Sequence, residues 1–414
     1  MTKNTLLYAL MVASLAVGHV HAGPQMAQDS SLTTLAVRSR YRPGTRIVDA
    51  DRSRIKALRD RGNRVSAQGS SKRAGVFSSD VTNVAVTYLA SVGVGSPATQ
   101  YNLLVDTGSS NTWVGADKKY KKTDSSDCRP GQFVEVTYGS GEFFGEECSD
   151  TVTLSPELVI RNQSIGAAFQ ARGFGDGIDG ILGIGPVDLT EGTVTGQDTV
   201  PTVTDNLFSQ GTISSNVVSV YFAPSVEEES TNGELTFGGV DTSKTTSDVA
   251  YVPITTTSPA SAYWGIDETI KYGDVEILPT SAGIVDTGTT LLYLASDAYN
   301  RYVNATGATL DMTTGLLRIT PAQYNSLKNL DFMIGSNTYS LTPNGQIFPR
   351  TMNAAIGGSD DYVYLAVNDI GTMSGSGMDF INGYVFLERF YSVYDTTNNQ
   401  VGFATTAETD STIN

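Results

Sequence analysis

The stretch Leu103–Gly115, LLVDTGSSNTWVG, sets an aspartate at the end of an apolar run, follows it with Thr-Gly-Ser-Ser and returns to apolar residues. The same figure recurs 180 positions later as AGIVDTGTTLLYL, Ala282–Leu294. A lone ionised carboxylate in such a place is costly, so each aspartate must be hydrogen-bonded, paired or protonated. Gly108 and Gly288 let the backbone approach a neighbouring loop. The hydroxyls of Thr107, Ser109, Thr287 and Thr289 can donate to carboxylate oxygens or brace the turn. Two such loops meeting on a pseudo-twofold axis would bring Asp106 and Asp286 together. Carboxyls that close cannot both ionise easily and share a proton in acid, so that one can deprotonate a water while the other protonates a leaving group. One such tetrapeptide is a weak signal and often only a turn; two copies separated by half a mature chain are a strong one.

Composition narrows the alternatives. Residues 1–22 carry Lys3, an apolar run from Leu6 to Val17 and a small-residue end, the pattern of a secretory signal. Residues 23–73 hold twelve Lys or Arg against four Asp and end at the dibasic Lys72-Arg73. From Ala74 onward fourteen Lys or Arg face thirty-nine Asp or Glu, a formal net charge of −25. A basic segment on an acidic body invites docking of one on the other and reads as a cleavable propeptide. The acidic body argues against a nucleic-acid partner. No later stretch reaches membrane-spanning length, and the polar C-terminus offers no anchor, so no membrane partner is expected.

The only histidines, His19 and His21, fall inside the signal. That removes Ser-His-Asp and Cys-His catalysis and histidine-ligated metal sites from the mature part. The two cysteines, Cys128 and Cys148, are too few for a zinc cage and even in number. One disulfide is the default in a secreted chain, and neither metal nor cofactor is expected.

Short alternating stretches such as NVAVTYLASVGVG, FVEVTYGSGEFFG and VVSVYFAP, rich in Val, Thr and Tyr, predict an all-β fold. Helices are expected only at 202–211, 294–307 and 320–330, the last with Thr320 as N-cap and Pro321 at its first position. Two halves, 74–250 with Asp106 and 251–414 with Asp286, would face each other across a cleft, joined by a linker between about 240 and 260.

The segments YLASVGVGSPATQYNLLVDTGSSNTWV, VTYGSGEFFG, DGIDGILGIG, GELTFGGVD, AGIVDTGTTLLYL and FINGYVFLERFYSVYDTTNNQVGFA together resemble the pepsin family of aspartic endopeptidases, in its secreted fungal branch. The resemblance implies a bilobal β fold with a few short helices, a cleft for protein and peptide substrates, and Asp106 and Asp286 as the dyad. It makes the hairpin VTYGSGEFFG a flap with Tyr138 at its tip, Gly139 offering its backbone to substrate, and Trp113 bonded to the flap tyrosine. Gly108, Gly288 and Thr289 would also meet the substrate. Cys128 and Cys148 lie ten residues either side of Tyr138 and are expected to join across the base of the hairpin. Ser140 stands where some fungal relatives carry an acid, so large apolar residues are expected around the scissile bond.

Where the family usually carries Leu-Gly-Asp this chain has Asn382-Gly383-Tyr384, expected to alter packing behind the second half and not the dyad. Leu104, Ile181 and Ile284 are candidate pocket walls and equally ordinary core. Asn162 and Asn304 head glycosylation sequons. The propeptide would silence the enzyme, with Lys72 or Lys56 reaching the dyad. A monomer is expected, exported from the cell or sent to a vacuole by the same signal. Glycoside hydrolysis by two acids is the competing chemistry, but it needs the acids farther apart. A silent pepsin-fold binding protein is the other alternative, though such proteins typically lose a dyad aspartate or neighbouring glycine.

Overall fold

The computed structural model describes residues 32–41, 46–67, 86–138 and 141–413. The expected signal, the Lys72-Arg73 pair, Ala74 and the flap residues Gly139 and Ser140 lie outside them.

The all-β expectation holds. Among the described residues thirteen strands form one continuous sheet and seven a second, with a small third sheet of three. The first half of the chain supplies β2 (Val86–Val94), β3 (Thr99–Asp106), β4 (Trp113–Val114), β5 (Asp127–Thr137), β6 (Glu142–Thr153), β7 (Val159–Arg172) and β8 (Gly180–Gly183). β9 (Val217–Phe222), β10 (Glu229–Phe237) and β11 (Ala250–Pro253) continue the large sheet. In the second half β12 (Gly265–Tyr272), β13 (Val275–Val285) and β14 (Leu292–Leu294) repeat the arrangement of β2, β3 and β4.

Each aspartate loop is held the same way. β3 runs parallel to β8, with Asp106 opposite Gly183, and β4 then pairs antiparallel to β8. β13 runs parallel to the strand Phe380–Asn382, with Val285 opposite Asn382, and β14 pairs antiparallel to it. A central strand that both flanks an aspartate-bearing strand and receives the chain after the turn leaves the aspartate loop no freedom to swing away. These central strands are buried on both faces, which is why GILG and FIN read as continuous apolar runs rather than alternating ones.

The helices are few. α2 (Val203–Ser209) begins at Thr202, which forms a capping box with Asp205. α3 (Ser296–Thr306) ends at Gly307, whose φ of 67° suits glycine. α4 is confined to Pro321–Tyr324, with the expected Thr320 cap and Pro321 start, but it stops well short of Leu330. Asn325 and Ser326 are poor helix formers, and Leu330 opens the strand Leu330–Ile334 in the second sheet, so sheet pairing overrides the helical run.

The basic segment is ordered. β1 (Thr33–Tyr41) is inserted between β10 and β2, with Leu35 opposite Leu235 and Val37 opposite Ala90. α1 (Ile47–Ala67) buries Ile47, Val48, Ala50, Asp51, Arg54, Ile55 and Leu58 and exposes Arg52, Lys56 and Asp60. Burying Ile55 and Leu58 contributes about 1.5–3 kcal/mol each by area. Near its end Gly62 lies so close to Pro259 that a Cβ would sit 2.7 Å from the proline Cβ, and Tyr263 donates its hydroxyl to the Leu58 carbonyl at 2.7 Å.

Candidate active site

The two Asp-Thr-Gly loops meet. Thr107 and Thr287 bond across the contact: each backbone N–H donates to the other's hydroxyl at 2.9 Å. Each hydroxyl in turn donates past its partner, Thr107 to the Val285 carbonyl at 3.2 Å and Thr287 to the Val105 carbonyl at 3.0 Å. Four buried hydrogen bonds thus lock the loops at a fixed spacing, and leaving any of the donors unpaired would cost about 1–3 kcal/mol.

Asp106 and Asp286 are fully buried. Asp106 accepts from Gly108 N–H at 2.9 Å and from the Ser109 hydroxyl at 2.5 Å. Asp286 accepts from Gly288 N–H at 3.0 Å and from the Thr289 hydroxyl at 2.5 Å. Each Oδ1 is thereby held by its own glycine N–H and each Oδ2 by the neighbouring hydroxyl, and both Oδ1 atoms border a common point.

That point is filled by a guanidinium. Arg54 Nη2 donates to Asp106 Oδ1 at 2.5 Å and to Asp286 Oδ1 at 2.8 Å, and its Nε donates to Asp286 Oδ2 at 2.8 Å. Burial alone would raise the Asp286 carboxyl, but the Arg54 charge and hydrogen bonds, with those of Thr289 and Gly288, outweigh it and hold it below its ordinary value. Three residues earlier on α1, Asp51 accepts backbone N–H groups from Thr290 at 3.2 Å and Leu291 at 3.1 Å. Burial raises its carboxyl to about 7 despite those bonds and the nearby Arg54.

This corrects the expectation that Lys72 or Lys56 reaches the dyad. Lys56 points to solvent, Lys72 lies outside the described residues, and Arg54 is the bridging cation. A signal for it was present: Ile47, Val48, Ala50, Asp51, Arg54, Ile55 and Leu58 share one face at helical spacing, so the two charges embedded in that stripe had to be paired.

Beside the first loop, β5 and β6 form the expected hairpin. Tyr138 N–H donates to the Gly141 carbonyl at 2.7 Å, and Trp113 Nε1 donates to the Tyr138 hydroxyl at 2.8 Å. Trp113 stacks on Phe143 at 4.3 Å between centroids. Cys128 and Cys148 are directly opposite in the hairpin register and are joined, with an S–S length of 2.01 Å. Leu104 and Ile181 pack in the same apolar cluster as Tyr138 and Trp113, whereas Ile284 belongs to the main core. Asn162 and Asn304 are both exposed.

A second correction concerns Asn382-Gly383-Tyr384. It does not lie away from the dyad but braces the second loop directly. Asp286 N–H donates to the Asn382 carbonyl at 3.1 Å, and Tyr384 N–H to the Thr289 carbonyl at 3.0 Å. Gly383 has no room for a side chain, since a Cβ would lie 2.5 Å from the Thr289 carbonyl.

The family profile described as eukaryotic aspartyl protease matches residues 87–406. Polyporopepsin of Irpex lacteus is 61% identical over 336 residues, which cover 80% of this chain and 98% of that protein. Human gastricsin is 30% identical over 338 residues, 77% of this chain and 81% of that one. The crystal structure of the aspartic proteinase from Irpex lacteus matches the fold with a TM-score of 0.79 at 52% identity, covering 92% of this chain and 100% of that chain. With its two interlocked Asp-Thr-Gly loops in a bilobal β fold, the chain belongs to the eukaryotic aspartyl proteases and is an aspartic endopeptidase.

Proposed function

We propose that the chain is made as a secreted, inactive precursor and that Asp106 and Asp286 become its catalytic dyad once residues 23–73 are removed. The observation that carries this reading is the Arg54 guanidinium, which stands where a water and a substrate carbonyl would have to go. With Arg54 gone, two carboxyls whose Oδ1 atoms both bonded the same guanidinium nitrogen would hold one proton between them. The ionised one takes a proton from a bound water as the water oxygen bonds to the peptide carbonyl carbon. The protonated one hydrogen-bonds the developing oxyanion. Collapse of the tetrahedral intermediate breaks the C–N bond, and a proton delivered to the amide nitrogen releases the amine.

The pH dependence follows from sign. The Asp286 carboxyl is held below its ordinary value by Arg54, so the attraction is present at neutral pH and is lost as the pH falls through that lowered value. Acid therefore loosens the propeptide and, by the same protons, prepares the dyad. The strongly acidic mature body is also relieved of self-repulsion in acid. Tyr138 would close over the bound peptide, with Gly139 and Ser140 beside it, and an uncharged flap tip favours large apolar residues at the scissile bond. Gly108, Gly288 and Thr289 would line the same cleft. Asn162 and Asn304 would carry glycans.

The test is hydrolysis of acid-denatured globin from pH 2 to 7, with full-length protein before and after acid treatment. Activity that appears only after acid exposure, peaks in acid and is absent in Asp286→Asn is the expected result. A folded, processed protein that stays inert throughout overturns the reading.

A further inference from the structure

The pseudo-twofold relation between the halves exposes one polar pair that has no counterpart. Leu89 lies opposite Leu104, two residues before Asp106, and Gly265 lies opposite Ile284, two residues before Asp286. Counting three positions on from each, Val92 corresponds to Glu268. Aligning Val105–Leu182 with Val285–Asn382 makes Leu182 correspond to Asn382. Behind the first loop the two positions are thus an apolar pair, Val92 and Leu182, both fully buried. Behind the second they are a carboxyl and an amide, equally buried.

Asn382 Nδ2 donates to Glu268 Oε2 at 3.0 Å. Glu268 Oε1 and Asn382 Oδ1 are both buried without a donor. Two orphaned acceptors on residues already bonded to each other are expensive, and a single proton on Glu268 Oε1, donated to Asn382 Oδ1, satisfies both. We propose that Glu268 is carried as the neutral acid and forms a two-bonded acid–amide couple with Asn382, which positions the second catalytic loop through the Asn382 carbonyl that accepts from Asp286 N–H.

The surroundings support a neutral acid. On β12, Asp267 is exposed, and Lys271 lies opposite Glu276 on β13 and Asp331 on the neighbouring strand. Directly opposite Glu268 are Ser281 and Ile334, neither of which is charged. Asp379, just before the Phe380–Asn382 strand, is taken up by the N–H groups of Gly375 and Ser376, and Asp286 lies one residue past β13. None of these shifts Glu268: burial raises its carboxyl to about 8, and the Asn382 hydrogen bond is the one opposing effect. Raised above its ordinary value of 4.5, the group contributes stability that is full below that value and is lost as the pH rises toward 8.

The proposal rests on the reading of Asp286 as half of the dyad, and its test separates the two. Glu268→Gln keeps both bonds without needing a proton, because its amide N–H can donate to Asn382 Oδ1. In full-length protein the unfolding equilibrium of the wild type should rise relative to Glu268→Gln by up to about tenfold per pH unit between pH 5 and 8. Other titrating groups are common to both chains and cancel. After acid activation, Asn382→Leu should lower kcat at pH 4 and leave KM unchanged. Parallel pH profiles for wild type and Glu268→Gln, or an unchanged kcat in Asn382→Leu, would overturn the proposal. If Asp286→Asn were active, the dyad reading would fail while the stability difference stood.

Discussion

The two Asp-Thr-Gly loops differ little in their own hydrogen bonds and much in what stands around them. Around Asp106 and Asp286 the glycine N–H, hydroxyl and cross-loop distances agree within 0.2 Å. The first loop, however, is backed by apolar core and roofed by the Trp113–Tyr138–Phe143 cluster. The second is backed by Glu268 and Asn382 and capped, at Thr290 and Leu291, by Asp51 of the basic segment. Chemistry that shares one proton between two acids needs matched loops, whereas closing over substrate and responding to pH do not. The inner hydrogen bonds are therefore symmetric, while the Trp113–Tyr138–Phe143 cluster stands against the first loop and Asp51 and Glu268 against the second.

The inner symmetry makes the strongest prediction. Asp106→Asn and Asp286→Asn should each reduce globin hydrolysis at pH 3–4 by at least about 10²–10⁴-fold, the range assigned to a positioned acid or base. The two losses should be similar, because a shared proton belongs to the pair. A variant that keeps more than a tenth of wild-type activity would show that its aspartate is not a member of the pair.

Among the described residues Arg54 is the one side chain that bonds both Asp106 and Asp286, so its removal should produce the next largest effect. Arg54→Leu leaves two buried carboxyls without their cation, at a cost of about 3–5 kcal/mol to docking of α1. The full-length variant should be cut by an added protease within α1 and show activity at pH 6, where the wild type is silent. Lys56→Ala, on the exposed side of the same helix, should behave as wild type.

The difference between Arg54 and Lys56 also marks how far sequence reading reached. The meeting of Asp106 and Asp286, the cross-bonded threonines and the disulfide were legible because each depends on a short pattern: an aspartate after an apolar run, repeated, and two cysteines at equal distance from a hairpin tip; the Trp113–Tyr138 bond was legible only through the family resemblance. The strand β1 and helix α1 were missed because net charge dominated the reading of residues 23–73, and charge hides a buried stripe containing Asp51 and Arg54. The role of Asn382 was missed for another reason: its carbonyl, not its side chain, meets Asp286, and no side-chain pattern announces a backbone contact between residues 96 positions apart. The end of α4 was misplaced because pairing in the second sheet decides it.

Asp51 opposes Arg54 in its response to acid, and Asp51→Asn should reveal it. Docking raises the Asp51 carboxyl from 3.8 to about 7, so its share of the attraction is complete below 3.8 and lost as the pH rises through 7. Between those limits the wild-type propeptide is held more tightly by up to about tenfold for each unit of acidification, partly offsetting release at Asp286. An asparagine oxygen can still accept from Thr290 or Leu291 N–H but takes up no proton. The half-time of acid conversion should therefore fall more steeply from pH 7 to pH 4 in the variant than in the wild type. Identical conversion profiles would mean that Asp51 stays ionised when docked.

The smallest expected effect tests the matched pair itself. Thr107→Val and Thr287→Val each preserve shape while removing one hydroxyl that both donates to a carbonyl and accepts from the opposite loop's N–H. Each should cost about 1–3 kcal/mol of stability, since each leaves a buried N–H and a buried carbonyl short of a partner. If the loops are equivalent at this level, the two melting temperatures should fall together, and the double variant should lose less than the sum, because the four bonds form one network. A much larger loss for Thr287→Val would place the asymmetry inside the grip, and the proton on Glu268 would then be expected to modulate it. Equal losses confine the asymmetry to the surroundings, where Asp51 and Glu268 already stand.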